Sequence, residues 1–155
     1  MSRAKSKRRT RKRRDERRRT PQRVLKRRVG KKFSDHKVMV GPTPDGLKMS
    51  EVLEAFVRPY VEHAATEDAL TSLVGTAVVA WNATLFPEED RQSVLDEAVA
   101  GFPREARVDG RRLVEDLMER KETHFARYRR AILDFEVVDK GNSWRLLVVS
   151  TVAPM

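Results

Sequence analysis

The chain has no cysteine, three histidines and two tryptophans. Without cysteine there can be no disulfide, thiol nucleophile or thiolate metal ligand, and the composition suits a reducing, cytoplasmic setting. His36, His63 and His124 are scattered, and neither an H-E-x-x-H, an E-x-x-H nor an Asp-rich calcium loop occurs. No metal and no cofactor is therefore expected. P-loop, G-x-G-x-x-G and G-x-S-x-G motifs are also missing, so the chain carries no recognisable catalytic signature and reads more as a non-enzyme. The basic N-terminus is not followed by an apolar stretch of the kind a secretory leader requires.

Long hydrophobic runs are scarce as well. The longest uncharged stretch is Ala69–Phe86, at the lower limit of a membrane span. It contains Thr71, Ser72, Thr76, Asn82 and Thr84, and acids flank it on both sides: Glu67 and Asp68 before, Glu88, Glu89 and Asp90 after. A span anchored at its cytoplasmic end would carry basic residues there. The stretch reads instead as a central helix buried on most sides, and no membrane partner is expected.

Charge is what the chain has in abundance, and it is unevenly placed. Residues 1–32 hold 18 Lys and Arg against Asp15 and Glu16, a net of +16; the remaining residues hold 15 Lys and Arg against 21 acids, a net of −6. The overall +10 thus averages a basic tail and a mildly acidic domain. The tail's few apolar residues, Ala4, Val24, Leu25 and Val29, cannot bury enough surface to offset ordering the backbone, so it is expected to be disordered alone in water. A run of like charge is favourable only in solvent or beside a polyanion.

Arginine outnumbers lysine 12 to 6 in the tail, which favours bidentate phosphate contacts and stacking on unpaired bases. Arg8, Arg9, Arg11, Lys12, Arg13, Arg14, Arg17, Arg18, Arg19, Arg27 and Arg28 are the candidate contacts to RNA or DNA. The tail has no aromatic residue, so affinity would come from phosphates rather than base stacking and would be non-specific. Against this stands a simpler reading, in which the tail is incidental and the domain is a protein-interaction or regulatory module.

The pattern predicts an α+β fold, mostly α: residues 1–32 a tail, 33–46 a linker, and 47–153 four helices with a C-terminal two-stranded hairpin. Val38-Met39-Val40 would add a short extended piece to the linker. The first helix starts near Ser50 as N-cap and carries Val52, Leu53, Phe56 and Val57; Pro59 is expected to kink or break it. Thr66 caps the second, which is expected to run to about Phe86. Pro87 opens the third, and Gly101 closes it. Asp109 is read as the cap of a fourth, from about Gly110 to Arg130. Ala131–Val138 and Ser143–Val152 have strand composition, joined by Asp139-Lys140-Gly141-Asn142. The hairpin has more apolar residues than one buried face needs, so a homodimer formed by edge pairing is one expectation, and a protein partner on the acidic domain another.

The end of the fourth helix holds Arg120, His124 and Arg127 at helical spacing, a candidate phosphate-binding face. Arginine and histidine on one helix resembles the HEPN-type ribonucleases. The three residues between Arg120 and His124 are one fewer than that family's usual minimum, and a terminal hairpin is foreign to its all-helical pattern, so no catalytic role carries over. A bland account also fits: cations oppose the negative end of the helix dipole, and Asp116 and Arg120 stand four apart as an ordinary pair. The aromatics Phe56, Tyr60, Trp81, Phe86, Phe102, Phe125, Phe135 and Trp144 are read as core. Asn82, next to Trp81, is read as satisfying a backbone group.

Overall fold

The computed structural model describes Gly46 and residues 48–151, and the basic tail and the Val38-Met39-Val40 piece lie outside the described residues. The domain is four helices and an antiparallel hairpin: α1 (Met49–Val61), α2 (Glu67–Ala83), α3 (Glu88–Ala100), α4 (Arg107–His124), β1 (Ile132–Asp139) and β2 (Trp144–Ser150). Among the described residues no helix is long and apolar enough to cross a membrane.

Helix α2 runs through the middle. Its start is set as the sequence implies: the Thr66 hydroxyl accepts from the Ala69 amide at 3.1 Å, and Glu67 and Asp68 sit in the positive first turn. Leu70, Val74, Ala77, Ala80, Trp81 and Ala83 are buried, and three of them are alanines, which lets neighbours pack close. The helix ends at Ala83, three residues before the expected Phe86. Phe86 lies beyond it, 47% exposed, and is not a core residue.

Helix α1 begins at Met49 with Lys48 as N-cap, not at Ser50, and packs Val52, Leu53, Phe56 and Val57 inward. It does not break at Pro59 but continues to Val61. Proline has no N–H, so the Ala55 carbonyl loses its helical donor four residues on. Arg120, reaching over from α4, supplies a replacement: its Nη2 donates to Ala55 O at 3.2 Å and its Nε to Phe56 O at 2.9 Å. A partner in tertiary structure thus keeps the helix intact.

Helix α3 has acids in its first turn and Gly101 as C-cap, as expected, while Pro87 is its N-cap and not its first helical residue. The chain then makes a short 3₁₀ turn, Arg104–Ala106, leading straight into α4 at Arg107. Asp109 is therefore in the first turn of α4 and not its cap. Gly110 is needed by close packing: a Cβ there would lie 2.5 Å from the Phe102 ring. Helix α4 stops at His124, short of the expected Arg130. The residues after it fold Phe125 and Tyr128 back on the core, where Phe56, Trp81, Phe125 and Tyr128 form a cluster with ring centroids 5.3–6.5 Å apart.

In the hairpin, Asp139 pairs with Trp144 and Asp134 with Val149, with an irregularity between Ile132 and Asp134. Gly141 takes φ +84°, the left-handed position expected for it, and the Asp139 carboxylate accepts from its amide at 2.8 Å. Ile132, Val137 and Leu146 are buried against the helices.

Two helix side chains bond to the hairpin backbone. Asn82 donates from Nδ2 to Ile132 O (2.8 Å) and accepts from Ile132 N (2.9 Å), and Glu54 Oε1 accepts from Leu146 N (2.9 Å). Asn82, expected to satisfy a backbone group at a helix end or bend, instead bonds that of Ile132 in β1, fifty residues away. Trp81 Nε1 also donates to Arg130 O at 2.8 Å, so the end of α2 holds the entry to β1 by three hydrogen bonds.

Candidate functional site

The tail residues Arg8, Arg9, Arg11, Lys12, Arg13, Arg14, Arg17, Arg18, Arg19, Arg27 and Arg28 all lie outside the described residues. Of the expected phosphate-binding face, His124 is exposed on the last turn of α4. Arg120 turns its donors to α1 and has its guanidinium carbon 5.3 Å from the Phe125 ring centroid. Its hydrogen bonds are to those carbonyls and not to Asp116. Arg127 lies over the Tyr128 ring at 4.7 Å and donates to the Tyr128 hydroxyl. The three residues are thus engaged with different neighbours: Arg120 with α1, Arg127 with Tyr128, and His124 with solvent.

A different set of cations converges next to them. Lys121 follows Arg120 on α4 and points about a quarter-turn away from it, into the domain, where it is 3% exposed. Its stem lies along the core and its Nζ sits 4.5 Å from the centroid of the Trp81 ring. Such a cation–π contact compensates part of the cost of removing an ammonium from water. Among the described residues no carboxylate pairs with this ammonium and no acceptor takes a hydrogen bond from it. Burial, helped by the Arg129 and Arg91 charges and opposed by Glu122, lowers its pKa from the usual lysine value to about 8.

The ammonium lines a cleft of about 230 Å³, with Thr84, Leu85, Arg91, Glu122 and Arg129 as neighbours. Arg91, from α3, is the brace of this region. Its Nη2 donates to Thr84 O at 2.9 Å, its Nε to Phe86 O at 3.1 Å, and its Nη1 bonds the Glu122 carboxylate. One guanidinium thereby covers carbonyls at the negative end of α2 and ties α2, α3 and α4 together. Arg129 is exposed on the segment after α4. The lining thus carries three cations, Arg91, Lys121 and Arg129, against one carboxylate already committed to Arg91.

Sequence patterning places Lys121 in a basic run, where a lysine is ordinarily solvated. Its position one residue from Arg120 was the available signal, since adjacent residues on a helix point about 100° apart. No protein-family model, curated protein or solved structure matches the chain significantly.

Proposed function

We propose that the protein associates with RNA or DNA through residues 1–32, as an anchoring and not a catalytic component, in a cytoplasmic setting. The acidic domain would dimerise or dock a protein partner. The observation that supports this is the charge segregation: +16 in residues 1–32 beside −6 in residues 33–155. Eighteen cations in so short a run serve no packing purpose, and phosphate is the counter-charge to which arginine is best matched. If the domain dimerises by strand addition, a second copy must leave the Asn82 bonds at Ile132 and the Glu54 bond at Leu146 in place or displace them.

The test is a salt titration of RNA and duplex DNA binding, with the full chain and residues 33–155 in parallel. The full chain should bind with a slope of about −0.9 in log K per phosphate engaged on duplex DNA, and the truncation should not bind at moderate salt. Equal binding by both would move the contact into the domain. No binding by either would leave the protein-interaction reading, in which the tail is incidental.

A further inference from the structure

The geometry points to a second, separate anion site in the folded domain: the cleft beside Trp81 binds a phosphate-class oxyanion, held by Lys121 and Arg129. Arg91 acts there as a positioning residue. The proposal does not rest on the tail.

Three observations carry it. First, Lys121 is 97% buried, yet its ammonium has only the Trp81 ring face as partner among the described residues. An ammonium has three donors, and a ring face satisfies none of them as a lone pair would. The ordinary arrangement for a packed lysine keeps the stem in and the head in water, but here the side chain is 3% exposed and its head meets solvent through the cleft alone. Second, the cleft's one carboxylate, Glu122, is bonded to Arg91, so excess positive charge faces the open space. The carbonyls just after α2 that would repel an anion, Thr84 O and Phe86 O, are covered by the same guanidinium.

Third, the volume of about 230 Å³ is below the ~300–1,000 Å³ range of pockets for drug-sized molecules, which suits a phosphate group better than a nucleobase or a peptide side chain. Free phosphate and the terminal phosphate of a monoester share this chemistry. The Lys121 pKa near 8 is consistent with the site, since the ammonium is still mostly charged at neutral pH.

The test uses the full chain and the indole N–H resonances of Trp81 and Trp144 in a ¹⁵N-correlated NMR spectrum. Inorganic phosphate should move the Trp81 resonance saturably and leave Trp144 nearly still, while sodium chloride at matched ionic strength should not. Arg129→Gln, a change at an exposed side chain, should weaken the apparent affinity at least tenfold, and Lys121→Gln should do the same. Tail arginines are common to all these proteins, so the comparison isolates the cleft. A nucleoside 5′-monophosphate beside its nucleoside distinguishes the two sources: saturation by the monophosphate alone assigns a terminal phosphate, and saturation by inorganic phosphate only assigns the free ion. An equal shift with chloride, or wild-type affinity in Arg129→Gln, would overturn the proposal.

Discussion

At the scale of single residues, Pro59 and Arg120 show how a local rule is overridden from a distance. A proline within a helix removes a donor and crowds the preceding turn. Arg120 replaces the lost bond at Ala55 O and adds a second at Phe56 O, so the two residues are thermodynamically coupled. Arg120→Gln is expected to cost about 1–2 kcal/mol of stability, since it strands a carbonyl and loses a charge-assisted bond. In a Pro59→Ala background Ala55 O regains its amide donor, and the same change should cost less than half as much. A denaturant double-mutant cycle measures this, and strictly additive costs would show that Arg120 acts by packing alone. None of this rescue can be read from the sequence around Pro59, because the rescuing residue is on another helix. Lys121 was hidden for a related reason: which side of α4 faces Trp81 is fixed only when the helices pack.

At the scale of elements, legibility followed how local the determining chemistry is. The Thr66 cap, Pro87 at the start of α3, Gly101 at its end and the left-handed Gly141 are single-residue signals; the structure has three where the pattern placed them and Pro87 one position out, as N-cap. The ends of α4 were misplaced at both sides. A 3₁₀ turn feeds its start without a side-chain cap, and its C-terminus yields to the pull of Phe125 and Tyr128 toward the aromatic cluster. Helix α3 is the least anchored of the four, with only Leu95 and Val99 buried, and is held further by the Arg91–Glu122 and Arg111–Asp96 pairs to α4. Exposed pairs contribute little, so α3 should open before the rest. Native-state hydrogen exchange should find its amides less protected than those of α2 by tenfold or more. Equal protection would mean that the helices unfold as one unit.

At the scale of the whole molecule, a buried cation carries a stability cost that depends on pH. The Lys121 pKa falls from the usual value of 10.5 to about 8 on folding, so between these values the unfolded chain binds the extra proton. Stability therefore rises with pH across that window, and the cost is present in full below pH 8. Tyr60 acts the other way: burial raises its pKa above 10.0 against the opposing Arg120 charge, and its contribution falls as the phenol ionises. Comparing the chain with Lys121→Met at pH 7 and pH 9.5 stays below that range. The variant's advantage at pH 7 should shrink by on the order of 1 kcal/mol at pH 9.5, discounted for the open cleft. An unchanged gap would mean that the ammonium is solvated in the folded state. The Pro59–Arg120 contact has a consequence of another kind, in descent. Positions 59 and 120 lie far apart along the chain yet meet through the Ala55 carbonyl, so they are expected to vary together. A lineage that keeps proline at the first should retain arginine at the second, and one that loses the proline is free to let the arginine drift.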